Sequence, residues 1–213
     1  MKRILALTAA LCFAFILFSV STDVVSGNRR YYHRQMIQND IPKVTGKSLS
    51  QLDEISDGLI DYLKRGDEKA IAPYFSKSEV DHMVDVYALF SLMRKLTVAA
   101  VFAGGGSFAW LVKRVGCRES LRKIGKATMA IIVTFCVLGL AVAMNFTKAW
   151  YTFHTLFFSN RLWLMDPEKD LMIQMLPENF FFGMVKEIGL AMAVGLFALG
   201  SLAFLKGDKN DTE

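Results

Sequence analysis

The stretch TFHTLFFSN, residues 152–160, places one imidazole in a run of aromatic and apolar side chains. The chain has 3 histidines in all, His33, His82 and His154. An imidazole, with an ordinary pKa of about 6.5, accepts and returns protons near neutrality, which no other unperturbed side chain does. His154 has two readings from sequence: it bonds a neighbouring carbonyl and packs, or it carries proton chemistry in a greasy setting. Other chemistries lack their residues. A zinc site needs three or four ligands at tight geometry, and neither HxxxH nor CxxC is present. Haem ligated by His82 and His154 is formally possible, but the CxxCH of covalent attachment is missing. Gly104-Gly-Gly-Ser107 is not a GxSxG nucleophile elbow and falls within an apolar run, where it reads as close helix packing. No cofactor and no metal are expected; what survives is one or two imidazoles acting as general acid and base.

A membrane must position them. Of 213 residues 53% are hydrophobic, and a mean hydropathy of +0.33 lies outside the soluble globular range. The expected fold is an all-α integral membrane protein: four transmembrane helices, at 1–22, 96–112, 127–145 and 182–205, each near the length of about 20 residues that a bilayer core requires. The first is read as an uncleaved helix, because no small-x-small cleavage site follows it. Lys2 and Arg3, the cluster Lys113, Arg114, Arg118, Arg122, Lys123 and Lys126, and Lys206 and Lys209 then fall on one side. The positive-inside rule makes that side the cytoplasm, with both termini in it. Arg94 and Lys95 run against the trend, but they follow a long translocated segment, where the rule is weak. The net charge of +5 is accounted for by topology, and no nucleic-acid partner is implied.

This layout leaves a loop at 113–126 and a tail at 206–213 in the cytoplasm, and puts 23–95 and 146–181 outside as a small, mostly helical cap without room for a separate soluble domain with a large core. All three histidines are then outside. Cys12 and Cys136 lie in spans and Cys117 in the cytoplasmic loop, so no disulfide and no thiol nucleophile is expected outside. Within 23–95, Ser50-x-x-Asp53 reads as a capping box before Leu52, Ile55, Leu59 and Leu63. Ser76-x-x-Glu79 opens a second helix carrying His82, expected to run on into the second span. Within 146–181, Asp166-Pro167-Glu168 reads as a helix start. Around it, Trp150, Tyr151, Phe153, Phe157, Phe158, Trp163, Phe180, Phe181 and Phe182 form an aromatic group suited to headgroup level.

Two stretches, SEVDHMVDVYALF at 78–90 and FHTLFFSNRLWLMDPEKDLMIQMLPENFF at 153–181, in a four-span chain of this size, closely resemble the bacterial lipoprotein intramolecular transacylase family. They match its His-Met-x-Asp-Val and Phe-His-x-Leu-Phe-Phe-x-Asn…Asp-Pro motifs. The resemblance implies an enzyme that moves the sn-2 acyl chain of a diacylglyceryl lipoprotein onto the α-amino group of the same lipidated cysteine, giving the lyso form. It makes His82 and His154 the essential pair, diacylglyceryl lipoproteins and membrane lipid the partners, and the extracytoplasmic face of the bacterial cytoplasmic membrane the place of reaction. No obligate protein partner is implied. Asn160 and Arg161 are candidates for stabilising the oxyanion, or for ordering the loop; Asp85, one turn beyond His82, either orients that ring or is a solvated acid. His33, in the basic stretch RRYYHRQ, reads as a headgroup contact. The alternative is a non-enzymatic membrane sensor or accessory subunit whose outer histidines sense pH or bind a metal.

Overall fold

The computed structural model describes residues 1–205; the expected tail at 206–213, with Lys206 and Lys209, lies outside the described residues. Nine α-helices are found among them: α1 (Lys2–Ser26), α2 (Arg29–Gln38), α3 (Ile41–Thr45), α4 (Leu49–Arg65), α5 (Lys77–Val115), α6 (Cys117–Met144), α7 (Phe146–Phe157), α8 (Leu171–Met175) and α9 (Glu178–Ser201). No strand occurs among the described residues. Four helical stretches, Lys2–Ser26, Lys77–Val115, Cys117–Met144 and Glu178–Phe204, are long and apolar enough to cross a membrane. The chain is an all-α integral membrane protein.

The chain divides into two compact units. The first comprises Met1–Thr22, Met93–Met144 and, among the described residues, 188–205. Its α1 turns a stripe of small residues inward, Ala6, Ala9, Ala10 and Ala14, spaced three and four apart as one helix face requires. Leu7 and Leu11 of the same helix stay exposed, as do Phe102, Val133 and Leu138 elsewhere in the unit. With no hydrophobic drive between helices in lipid, close approach has to come from such small residues. At Gly104 an added Cβ would come within 2.9 Å of Cys12, so this glycine packs tightly, whereas Gly105 and Gly106 face open space and do not. The expected loop at 113–126 is instead almost wholly helical. Val115 ends α5, Cys117 starts α6, and Gly116 alone makes the turn at φ +80. Glu119 reaches both Arg122 and Lys123, at 2.6 and 2.7 Å, and these cations, with Arg122 foremost, hold its carboxyl down at about 2. The basic cluster is thus partly neutralised along one helix face, which is why its charge does not unwind the segment.

The second unit comprises Asp23–Leu92 and Asn145–Glu187. It corrects the expectation that the non-spanning residues lack a sizeable core. Eighteen buried apolar side chains from α2, α3, α4, α5, α8, α9 and their connections form one cluster, among them Tyr31, Leu52, Leu59, Ile71, Met175 and Phe180. The sequence signal is local helical periodicity, which cannot reveal that 23–92 and 145–187 share one interior. The helix carrying Leu52, Ile55, Leu59 and Leu63 is present as α4, but its capping box is Ser48 with Gln51 rather than Ser50 with Asp53. Gly66 closes it in a left-handed conformation at φ +71. Asp166-Pro167-Glu168 does not start a helix: Asp166 caps a turn by accepting the Glu168 N–H, and the five-residue α8 begins only at Leu171. Pro177 stops it from lengthening.

Candidate functional site

His82 sits in the second turn of α5, and its placement is set by Glu79. The expected Ser76–Glu79 capping box is present: Ser76 N–H donates to Glu79 Oε2 at 2.7 Å and Glu79 N–H to Ser76 Oγ at 3.4 Å. The other oxygen of Glu79 accepts the Met172 N–H at 2.7 Å. This carboxylate, 2% exposed, therefore ties the first turn of α5 to the start of α8. A buried anion spending both oxygens on backbone donors is a fixed post, and losing it would orphan two amides. The α5 helix does run on unbroken from this cap to Val115, as the sequence predicts.

His154 belongs to α7, a helix of the 146–181 portion for which the sequence carries no start signal as plain as Ser76–Glu79. Asn145 caps α7 by accepting the Lys148 N–H, and Thr147 bonds Glu178 at the start of α9. Ring pairs Phe146–Phe182 and Trp150–Phe181, with centroids 5.0 and 4.3 Å apart, lay the helix along α9. One turn beyond Trp150, the His154 ring is enclosed by Trp150, Phe153, Phe158 and Trp163 at 4.4, 5.3, 5.5 and 4.9 Å. His154 Nδ1 lies 2.8 Å from the Trp150 carbonyl. A carbonyl only accepts, so Nδ1 carries the proton and Nε2 the lone pair.

The two elements bring the imidazoles together. The His82 and His154 rings stack with centroids 6.2 Å apart and planes 28° apart, and Phe158 closes on His82 at 5.2 Å. Both are buried. His82 Nδ1 is the one buried side-chain nitrogen or oxygen among the described residues that has no hydrogen-bond partner. Burial, then the neighbouring His154, push the His82 imidazole down to about 4, against an opposing pull from Asp85. Burial also lowers His154, opposed by its bond to the Trp150 carbonyl. Both shifts favour the neutral rings, and a proton on His154 makes one on His82 harder to bind.

The remaining candidates fall into two groups. Asp85 makes no hydrogen bond to His82; its Oδ2 accepts from Asn160 Nδ2 at 2.7 Å. Asn160 in turn accepts the Leu162 N–H on its side-chain oxygen and the Trp163 indole N–H on its carbonyl. One clamp thus joins the His82 helix to the segment that lays Trp163 on His154. Arg161 is exposed in that segment. His33 stands apart, its Nδ1 2.9 Å from both oxygens of Asp53. Sequence reasoning missed Glu79 as a link between elements, Trp163 as part of the His154 enclosure, and Ser159, which lines a cleft beside Asp85 and Asn160. For the first two no local signal exists, because the partner lies 93 or 9 residues away across a turn; Ser159 was legible only as a neighbour of Asn160.

No group of three or more metal-ligating side chains occurs among the described residues. A membrane-integral helical protein thus holds two buried, stacked imidazoles in an apolar setting. Comparison with known families places the chain. The profile of the lipoprotein intramolecular transacylase Lit matches residues 7–181, and the chain belongs to this family. It is therefore an acyltransferase, and the non-enzymatic sensor is set aside. Solved structures agree. The membrane-integral lipoprotein intramolecular transacylase Lit from Bacillus cereus, in meso, is similar at TM-score 0.82 and 29% identity, over 95% of this chain and 94% of that one. Two structures of that protein with a histidine replaced, by arginine or by alanine, each have TM-score 0.78 and 28% identity. They match over 95% of this chain and 90% and 92% of theirs. A comparison with curated proteins gives no match.

Proposed function

We propose that the chain transfers the sn-2 acyl chain of a diacylglyceryl-cysteine lipoprotein to the α-amino group of the same cysteine, with His82 and His154 as catalytic residues. The observation that carries this reading is the stacked pair of neutral imidazoles, one with its tautomer fixed. The substrate amine supplies the nucleophile, so the protein needs none. Its nitrogen lone pair bonds to the ester carbon; the nitrogen then becomes far more acidic than a free amine, and His154 Nε2 takes its proton. The tetrahedral carbon expels the glycerol oxygen, and the same proton leaves Nε2 for that oxygen. A depressed imidazole pKa suits the second step, since a more acidic imidazolium gives up its proton readily. His82, stacked alongside, holds or relays the proton and excludes water. Because amine and ester share one molecule, orientation contributes heavily, with effective molarities of about 10⁵ M or more in favourable cases.

Asp85 and Asn160 act as the clamp that sets the distance between the imidazoles, and Asn160 and Arg161 remain the donors for the oxyanion. The site works on the extracytoplasmic face of the bacterial cytoplasmic membrane, with both termini in the cytoplasm; the basic residues of the α5–α6 turn support this orientation. Substrate recognition therefore concerns lipid-borne lipoproteins and needs no cofactor. The test mixes a diacylglyceryl lipopeptide bearing heavy acyl chains with a light-chain lipopeptide of different peptide mass, adds purified protein in detergent, and sequences the products by tandem mass spectrometry. Heavy chains are expected as N-acyl groups only on the peptide that brought them. Substantial crossover would replace direct attack with a covalent acyl-enzyme, and absence of any N-acyl product from folded protein would remove the reading altogether.

A further inference from the structure

A cleft of about 310 Å³ is lined in part by Phe158, whose ring packs against both imidazoles. One wall is α5: Asp85, Ala88, Leu89 and Leu92 line it. Together with His82 these positions follow helix spacing, 82, 85, 89 and 92, so the catalytic ring and the wall lie on one stripe. From Asp85 to Leu92 the stripe descends about 10 Å along the helix. The other wall is Phe157 and Phe158, and Phe158 is the ring that touches both imidazoles. The cleft is polar where Asp85 and Asn160 meet and apolar beyond. Leu92 and Phe157 are 51% and 52% exposed, an open apolar surface that Phe158 joins to the two imidazoles.

We propose that this cleft holds the transferred acyl chain during the reaction, and that Ala88 sets the chain length accepted. The proposal rests on the acyl-transfer reading above. Its occupant follows from the layout. An ester carbonyl held at the imidazoles would have its polar atoms near the Asp85–Asn160 end of the cleft, and the apolar path leading on from there is the α5 stripe. Ala88 is the smallest side chain on that path, and it leaves room there that a larger one would close.

The experiment compares kcat/KM for diacylglyceryl lipopeptides with long and with short acyl chains, in wild type, Ala88→Phe and Leu89→Ala, each first checked for its thermal midpoint in detergent. Each methylene displaced from an apolar site costs about fourfold in binding. Ala88→Phe is expected to lower the long-to-short ratio by roughly tenfold or more, and Leu89→Ala to raise it. An unchanged ratio in both variants overturns the proposal, and means that the cleft holds bulk lipid or nothing. If Ala88→Phe is inactive on both substrates, Leu89→Ala decides by the same criterion. Wild-type protein that yields no N-acyl product with either substrate defeats the acyl-transfer reading itself, so the two failures are distinguishable.

Discussion

Acidification offers the sharpest physical test of the buried imidazole pair. His82 has its ordinary pKa of about 6.5 when unfolded and one near 4 in the fold. Between these values the unfolded chain binds more protons than the native one, so stability rises with pH across the window. The His82 contribution is thus intact above about pH 6.5, begins to be lost as pH falls below that value, and is fully lost below about 4. For a shift of this size the loss is about 2 kcal/mol by pH 5 and about 3 kcal/mol by pH 4. His154 is shifted in the same direction and steepens the fall. Carboxylates add slopes of their own, so the measurement has to be a difference. Thermal midpoints of wild type and His82→Phe are recorded in the same detergent from pH 7.5 to 4.5. The wild type is expected to lose several degrees more than the variant over this range, with the divergence starting near pH 6.5. Parallel curves would mean that His82 is well solvated in the native state, and the argument from its burial would fail.

His82→Ala and His154→Ala are each expected to lower turnover by about 10² to 10⁴, the usual scale for a proton-transfer group, whereas His33→Ala, which gives up a pairing with Asp53, retains most activity; lyso-product yield by mass spectrometry measures all three. Asp85→Ala frees the Asn160 amide and is expected to cost kcat by about tenfold or more with KM little changed, while Asp85→Asn, which keeps an acceptor for that amide, recovers part of it; equal loss in both would point to the charge rather than the clamp. Ser159 lines the cleft, but no hydrogen bond joins it to either imidazole among the described residues, so Ser159→Ala is expected to cost less than tenfold, and a full loss would indicate an acyl-serine route. In intact cells Cys117 is expected to resist a membrane-impermeant thiol reagent, while cysteines placed at Asn39 or Glu168 react; labelling of Cys117 from outside would reverse the orientation.

How far the sequence reveals this arrangement depends on the range of the interaction involved. The spans are legible because a bilayer core demands long apolar runs, a requirement each segment meets alone. The Ser76–Glu79 cap and the helix at 49–65 are legible for the same reason, their signals lying within one or two turns. The α5–α6 turn was not: a stretch of six basic residues reads as loop until Glu119 is known to bridge two of them along the same helix. Nor was the start of α8, since Asp166 and Pro167 favour a turn and a helix equally, and the Met172 amide bonded by Glu79 settles where the helix begins. The shared interior of 23–92 and 145–187 is a long-range property, invisible to periodicity. His82 and His154 stood out singly by type and motif; their stacking did not.

The pairing has a cost that helps to explain its construction. A buried imidazole without a partner for one nitrogen, as at His82 Nδ1, forgoes a hydrogen bond of about 1–3 kcal/mol, and the fold tolerates it only because the surroundings are over-determined. Glu79 fixes the helix below, the Asp85–Asn160 clamp fixes the facing segment, and four aromatic rings fix His154. Each of these elements holds position without offering His82 Nδ1 a donor or acceptor. Had the site evolved for stability alone, a partner at that nitrogen would be an easy gain. A nitrogen held dry, in place and unsatisfied is suited to a group that arrives with the substrate, whose own polar atoms complete the shell. On this argument a bound lipopeptide, or an unreactive ether analogue of it, raises the thermal midpoint of the wild type. It also shifts the His82 ring nitrogen resonances, while His82→Phe, which has no such nitrogen, loses most of that stabilisation; equal stabilisation of both proteins would show that the orphaned nitrogen never meets the substrate.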